Sequence, residues 1–129
     1  MKYLNFVTNW NNKLKCDAFT TFRIYEKWKF KVGEKWEIRL RGTRQFDALV
    51  VDVKVMRLDQ VNEFIAHLDT GYNKKEFEGI INRMYGRKHD TRTLHFALVL
   101  FKKVKEKPLT MFTDDDFEVT EGGNDEYLD

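Results

Sequence analysis

The residue types best suited to chemistry are concentrated in the stretch 19–36, which reads FTTFRIYEKWKFKVGEKW. The candidates for ligand binding in this stretch are small hydroxyls, cations and one indole: Thr20, Thr21, Arg23, Trp28, Lys29 and Lys31. The planar guanidinium of arginine suits a phosphate or the edge of a base. Aromatic rings next to lysines can stack on bases while the lysines bind phosphates. This combination predicts a pocket for an anionic or nucleoside-like ligand.

The same residues also have a purely structural interpretation. Thr20 and Thr21 are β-branched, and such residues are common in strands with satisfied hydroxyls. Arg23 could pair with Glu34 or Asp69, and mixed aromatic and basic strands are ordinary on barrel surfaces. Both interpretations stay open on the sequence alone. We favour ligand contact, because a cation fixed on a short strand needs a reason to be there.

Other chemical motifs are missing from the sequence. His67, His89 and His95 lack the spacing of metal ligands, and there is no glycine-rich phosphate loop, nucleophile elbow or Cys-His pair. Cys16 is the only cysteine, which excludes an intrachain disulfide and a multi-cysteine zinc site. No apolar run is long enough to cross a bilayer. We therefore expect no metal, no cofactor and no membrane partner, and a reduced, cytoplasmic location.

Charge divides the chain into a basic body and an acidic tail. All 23 Lys and Arg residues lie at or before Lys107, and eight of the 21 acids follow it. The chain through Phe112 therefore carries a net charge of +10 and the remainder carries −8. A body this basic favours a polyanionic partner such as RNA, although a solvated lysine-rich surface has the same composition. The tail, 108–129, could be disordered, contact a protein partner, or fold back and compete with the ligand.

Periodicity predicts one domain over residues 1–107. Alternation or clustering of β-branched residues predicts strands at 2–7, 19–25, 35–41, 45–58 and 94–104. A short helix is predicted over 8–15, and a pair of helices should follow the cap residues Asp59 and Asn73. An edge strand at 109–119 is expected before a disordered end. This order describes an α+β fold, a small β-barrel with one N-terminal helix and a helix pair before the closing strand.

The sequence also assigns core faces within these elements. On the strand 45–58, the core face is expected to carry Leu49, Val51, Val53 and Val55. The apolar stripe of the first paired helix is expected to be Val61, Phe64, Ile65 and Leu68. The stripe of the second is expected to be Phe77, Ile80, Ile81 and Met84.

Several short motifs resemble the ASCH domain, a member of the PUA-like superfamily. The family has a Thr-x-Arg strand, a Gly-Asp turn, a strand hairpin, a helix pair and a final strand. Residues 21–23 (TFR) match the first motif, and 31–34 (KVGE) match the turn with Glu in place of Asp. The regions 63–86 and 94–103 resemble the helix pair and the final strand. The resemblance covers residues 3–104 and implies a PUA-like barrel that binds RNA, a nucleotide or a modified nucleoside in a basic cleft.

Some small members of this family hydrolyse acetylcytidine with a Lys-Thr-Glu arrangement. The resemblance places the catalytic threonine at Thr21 and the acid near Asp69, but the lysine position is occupied by Ala18. A threonine hydroxyl is a poor nucleophile without a base. We therefore rank binding first. The alternatives are an amidohydrolase or a ribonuclease that uses Thr21 and Asp69, and a protein-interaction module that uses the acidic tail.

Overall fold

The computed structural model describes residues 1–105. Within them, the strands are β1 Lys2–Phe6, β2 Ala18–Ile24, β3 Lys35–Leu40, β4 Thr43–Arg57 and β5 His95–Lys103. The helices of this part are α1 Glu63–Thr70 and α2 Lys74–Tyr85, with 3-10 segments at Trp10–Lys15 and Leu58–Gln60. This composition confirms the α+β class. The predicted tail at 108–129 and its strand at 109–119 lie outside the described residues.

The strands form one mixed sheet in the order β1-β3-β4-β5-β2. β1 pairs with β3 in parallel, and the other neighbours are antiparallel. The sheet is curled, so that its two edge strands, β1 and β2, come close together. A hydrogen bond joins them, in which Nη2 of Arg23 on β2 donates to the carbonyl oxygen of Asn5 on β1 at 3.0 Å. The sheet is thus a half-barrel whose edge strands approach each other at this point.

The predicted hairpin of the third and fourth strands is confirmed. In β3, Trp36 and Ile38 are buried and alternate with half-buried polar residues, as the sequence pattern indicates. The tight turn to β4 places Arg41 and Gly42 at φ values of 48° and 82°. Glycine adopts such a conformation without steric cost, which explains its place in this turn.

The predicted core face of the fourth strand is wrong for Leu49, Val51 and Val55, whereas Val53 packs partly buried against the core. The buried residues of the first half of β4 are Phe46, Ala48 and Val50, whereas Leu49 is half-buried and Val51 and Val55 are exposed. A β-bulge between Val50 and Asp52 adds one residue to β4 relative to β5. Because side chains alternate with a period of two, this extra residue moves the core face from Phe46, Ala48 and Val50 before the bulge to Val53 after it. One alternating face along 45–58 therefore cannot describe both halves of the strand.

Helix α2 forms largely as expected. Asn73 caps it by accepting a hydrogen bond from the N–H of Glu76 at 2.9 Å. The negative charge of Glu76 in the first turn also interacts favourably with the positive end of the helix dipole. Phe77, Ile80 and Ile81 are buried, but Met84 is 52% exposed. The predicted stripe is therefore correct for its first three members and wrong for the last.

Helix α1 differs more from its prediction. Its N-cap is Asn62, which accepts from the N–H of Ile65 at 2.9 Å, and not Asp59, which lies in the preceding 3-10 turn. Phe64 and Leu68 are exposed, and the helix buries Ala66, Asp69 and Thr70 instead. The predicted apolar stripe is therefore wrong for Phe64 and Leu68. The inward face of α1 carries Ala66 and Ile65, which pack in one apolar cluster with Phe22, and Asp69, which has buried polar partners.

The predicted N-terminal helix at 8–15 is a kinked 3-10 segment. Asn11 and Asn12 adopt φ values of 57° and 53°, which asparagine tolerates better than most residues with a Cβ. The kink allows both Leu14 and Lys13 to be buried. Among the described residues, no helix is long and apolar enough to cross a membrane.

Two apolar clusters stabilise this arrangement. The first fills the concave side of the sheet with side chains of all five strands, including Phe19, Ile38 and Phe101. The second lies between the sheet and α2 and includes Phe22, Phe77 and Phe96. Phe22 stacks on Phe96 at a centroid distance of 4.7 Å. The strand β2 contributes to both clusters and is therefore fixed from both sides.

Candidate functional site

The candidate site is built around β2, an edge strand that is buried on both faces. Phe19, Thr20, Thr21 and Phe22 are all buried. Successive side chains of a strand point to opposite faces, so the two threonine hydroxyls serve different surroundings. Helix α1 and the 3-10 segment cover the strand on the side of Thr20, where a charged cluster is present. Thr21 faces the gap between the two edges of the sheet.

The charged cluster consists of Lys13, Asp69 and Thr20. The Nζ of Lys13 donates to Oδ1 of Asp69 at 2.7 Å, and the hydroxyl of Thr20 donates to the same oxygen at 2.9 Å. The exposed fractions of these three residues are 5%, 4% and 5%. A buried carboxylate and ammonium need such direct partners, because desolvation of an isolated ion is costly. The three residues come from separate parts of the chain and form one unit.

Sequence reasoning missed Lys13 as a site residue. The expected position of the family's lysine holds Ala18, which is exposed at the start of β2. Lys13 instead reaches Asp69 from the 3-10 segment, whose kink at Asn11 and Asn12 turns the chain toward the sheet. The Asn-Asn pair before this lysine is the only local signal that could have indicated the turn.

The second part of the site is a chain of hydrogen bonds through Arg23. Its Nε donates to the hydroxyl oxygen of Thr21 at 2.9 Å, while its Nη2 binds the carbonyl of Asn5. The guanidinium carbon also lies 4.6 Å from the ring centroid of Phe6, a cation–π distance. Arg23 is therefore held in one orientation by groups on both edge strands. The predicted pairings with Glu34 and Asp69 do not form; the arginine bonds Thr21 and Asn5 instead.

A cavity of about 290 Å³ lies where these two parts meet. Its polar lining includes Lys13, Thr21, Arg23 and Asp69. Its apolar lining is formed by Phe6, Val7, Trp10, Phe22, Ile80, Ile81 and Met84. Binding sites for small molecules are typically concave and apolar with a few converging polar groups, and this volume is at the small end of their range.

Burial changes the acidity of the groups around the cavity. Desolvation lowers the pKa of Lys13, the Asp69 carboxylate opposes this change, and the charge of Arg23 adds to it. Desolvation also lowers the pKa of Arg23, against the attraction of Tyr85 and Asp69. The pKa of Tyr85 is raised by burial, and Arg23 partly offsets this effect. These groups form one electrostatically coupled set, in which Lys13 loses its proton more readily than an exposed lysine.

The other predicted binding residues lie elsewhere. Trp28, Lys29 and Lys31 belong to the loop between β2 and β3 and do not line the cavity. Trp28 is 69% exposed with a φ of 70°, an unusual conformation for a bulky residue. The Nζ atoms of Lys27 and Lys31 lie 5.3 and 5.8 Å from its ring centroid. The structure therefore divides the predicted set into a buried group and an exposed aromatic-basic loop.

This loop is anchored to the rest of the molecule. The ring of Phe30 stacks on Trp36 at 4.9 Å, and Nζ of Lys2 donates to the carbonyl of Lys29 at 3.2 Å. Nζ of Lys29 itself pairs with Glu26 at 2.9 Å. Trp28 is thus presented to solvent from a loop that is fixed at its base.

A larger groove of about 1250 Å³ runs between α2 and the loop 86–92. Arg83, Arg87 and Arg92 line it together with Asp59, Glu78 and Asp90, and Asp90 already binds Arg92. The charges along this groove balance rather than converge. Over residues 1–105, no group of three or more His, Cys, Asp or Glu side chains is arranged to hold a metal ion.

The cavity beside β2 is therefore the site with the most organised chemistry in the described part of the chain. It can offer a guanidinium and a hydroxyl to a ligand, with an ion pair at its base and aromatic walls for a planar ring. No protein-family profile, no curated protein and no solved structure matches this chain.

Proposed function

We propose that the domain binds a nucleoside or a nucleotide in the cavity beside β2, and that it is of the ASCH type. The observation that carries this proposal is the fixed position of Arg23, which is bound to Thr21 and Asn5 at the edge of an apolar cavity. A half-buried cation whose donors are held in one orientation suits a phosphate or the edge of a base. The cavity volume of about 290 Å³ favours one nucleoside unit over a large ligand.

Each group of the cavity has a role in this proposal. Arg23 uses Nε and Nη2 in its internal hydrogen bonds and retains further N–H donors for the ligand. Thr21 accepts from Arg23 and keeps its own O–H to donate. Trp10 and Phe22 supply aromatic surface on which a base can pack. Lys13 and Asp69 form the charged base of the cavity.

In a second form of the same proposal, the nucleoside is part of an RNA strand. Lys2 holds the loop of Trp28 through the carbonyl of Lys29, and Asn5 of the same strand holds Arg23. Three residues of a β-strand span about 10 Å, a distance that one or two nucleotides can cover. A base next to the bound nucleoside could then stack on Trp28 while its phosphate lies near the lysines.

The direct test is a titration of the full chain with cytidine, cytidine monophosphate and a short single-stranded RNA. The proposal predicts ligand-induced NMR shifts at Phe22, Ile80 and Met84, and weaker binding by about tenfold or more in Arg23→Ala. Arg92→Ala is the matched control, because Arg92 is exposed and pairs only locally with Asp90. Equal affinity of Arg23→Ala and the parent chain would disprove the assignment of the site.

A second candidate function is hydrolysis of an acylated nucleoside such as acetylcytidine. The observation in its favour is Lys13, which supplies a buried lysine to a cavity that Thr21 and Asp69 also line. In such a reaction, Thr21 Oγ attacks the acyl carbonyl, the amine leaves with a proton, and water then hydrolyses the acyl ester. Burial lowers the pKa of Lys13 and so favours the neutral amine that a general base requires. The bond to Asp69 raises this pKa and so favours the ammonium form. Binding therefore ranks first.

Turnover of acetylcytidine separates the two functions. Hydrolysis predicts release of acetate by the parent chain and loss of at least about a hundredfold in rate in Thr21→Ala and in Lys13→Met. Thr43→Ala is a control, since Thr43 is exposed at the start of β4. Binding of acetylcytidine without release of acetate would support nucleoside binding and exclude hydrolysis of this substrate.

A further inference from the structure

An apolar patch on α1 is left uncovered by the described residues. Phe64 and Leu68 are four residues apart on one face of the helix, and they are 86% and 61% exposed. They border a groove of about 600 Å³ together with Asn11, Glu63 and His67. Single exposed apolar residues are common, but a groove lined by a neighbouring pair of large ones is typical of an interaction site.

The C-terminal part of the chain starts within reach of this patch. Lys105 is the last described residue, and its Nζ lies 3.3 Å from Asp17 Oδ2. Six residues separate Asp17 from Asn11, which borders the groove, and six residues span at most about 20 Å. Phe112 and Phe117 follow Lys105 by seven and twelve residues, which can span about 24 and about 41 Å when extended. The segment that carries these two rings is therefore long enough to reach the groove.

The composition of that part fits the patch. Segment 109–117, LTMFTDDDF, carries the apolar residues Leu109, Met111, Phe112 and Phe117 around three consecutive aspartates. The patch is bordered by the N-terminus of α2, because the N–H of Lys74 donates to Oε1 of Glu63 at 2.8 Å. Lys74 and Lys75 and the positive end of the helix dipole therefore lie beside the apolar groove.

We propose that segment 109–117 of this chain docks on α1, with its phenyl rings on Phe64 and Leu68 and its aspartates beside Lys74 and Lys75. Charge supports an intramolecular partner, since the described residues carry 22 Lys and Arg against 12 Asp and Glu. In this arrangement the docked segment lies next to Asn11, which borders the groove. Trp10, the residue before Asn11, lines the ligand cavity. This interaction is independent of the nucleoside that the cavity binds.

The test uses the full chain with labelled leucine methyl groups. Docking predicts nuclear Overhauser effects from the Leu68 methyl groups to the ring of Phe112 or Phe117. Phe64→Ser should remove these contacts without unfolding the protein, because Phe64 is largely exposed. Val32→Ser is the matched control, since Val32 is also exposed, at 67%, but lies in the β2–β3 loop. The double charge reversal Lys74→Glu/Lys75→Glu should weaken the contacts.

Two results would overturn the proposal. One is the absence of contacts between Leu68 and either phenyl ring in the parent chain. The other comes from an equal mixture of chains labelled on leucine methyl groups and chains labelled on phenylalanine rings. Contacts in that mixture would mean that the patch is covered by a second copy of the chain, whereas intramolecular docking predicts none.

Discussion

The ammonium of Lys13 lies 2.7 Å from Oδ1 of Asp69, and both side chains are buried although 56 residues separate them in the chain. Such a pair contributes little net stability on its own, because desolvation of two charges offsets their attraction. The pair lines the same cavity as Thr21 and Arg23.

Breaking the pair should destabilise the protein strongly. Asp69→Asn leaves the Lys13 ammonium buried without a counter-ion, and we expect the free energy of unfolding to fall by about 3–5 kcal/mol. Urea denaturation measures this change. Asp59→Asn, which affects an exposed pair with Arg57, should cost less than about 1 kcal/mol. Similar losses in both variants would contradict the burial of the Lys13–Asp69 pair.

Replacing the whole pair should be tolerated far better than breaking it. In Lys13→Met/Asp69→Leu, both charges are exchanged for apolar side chains of similar size, so no ion is left unpaired. We expect the double variant to recover about 2 kcal/mol or more of the loss in Asp69→Asn. A loss equal to or larger than that of the single variant would mean that the pair is intrinsically stabilising.

The lowered pKa of Lys13 should make stability depend on pH. Between that lowered value and the ordinary lysine value of about 10.4, Lys13 is neutral in the folded state and protonated in the unfolded state. The unfolded state then binds more protons, so the free energy of unfolding rises with pH in this window. The desolvation cost is fully present at lower pH.

Urea denaturation from pH 8 to pH 10 measures this effect. Tyr85 has the opposite sign, because its raised pKa makes stability fall above about pH 10. A Tyr85→Phe background removes that contribution. The rise with pH should be smaller in Lys13→Met/Tyr85→Phe than in Tyr85→Phe, and equal slopes in the two chains would refute the assignment to Lys13.

Truncation of a phenylalanine should cost much more stability in α2 than in α1. Phe77 of α2 is completely buried against Phe22, and Phe77→Ala should lower the free energy of unfolding by about 3–5 kcal/mol. Phe64 of α1 is 86% exposed among the described residues, and Phe64→Ala should cost less than about 1 kcal/mol, which includes any contact with segment 109–117. Thermal or urea denaturation tests the pair. A loss in Phe64→Ala as large as that in Phe77→Ala would mean that Phe64 belongs to the core, as simple periodicity predicts.

Local patterns were sufficient for much of this fold. The alternation in β3 and the Asn73 cap of α2 are local signals, and both elements form close to their predicted bounds. The core face of β4 required knowledge of a bulge, which depends on the pairing with β5 and not on β4 alone. The exposed side of α1 likewise depends on a distant residue, because Asp69 turns inward to meet Lys13.

The site was predictable only in part for the same reason. Thr20, Thr21, Arg23 and Asp69 were all named from the sequence as candidate site residues, and the structure places them close together on and beside β2. Lys13 was not expected, because spacing along the chain cannot represent a kink that folds a segment back on the sheet. Trp28 was expected in the same pocket because it is close in sequence, but the loop carries it outward.

The shape of the arginine should matter as well as its charge. Arg23→Lys keeps the positive charge but loses the planar guanidinium, whose separate N–H groups donate to Thr21 and Asn5 together. We expect this variant to bind cytidine monophosphate about tenfold more weakly than the parent chain, as measured by calorimetry. Lys29→Ala should have a smaller effect on this mononucleotide, since Lys29 lies outside the cavity. Full affinity in Arg23→Lys would show that only charge is required.

An NMR titration of the full chain with cytidine monophosphate shows whether the cavity beside β2 holds a nucleoside unit. Binding in the cavity predicts saturable shifts of Phe22, Ile80 and Met84, which line it, and the loss of these shifts in Arg23→Ala. Shifts confined to Trp28 and its neighbouring lysines, with the cavity resonances unchanged at saturation, would contradict it.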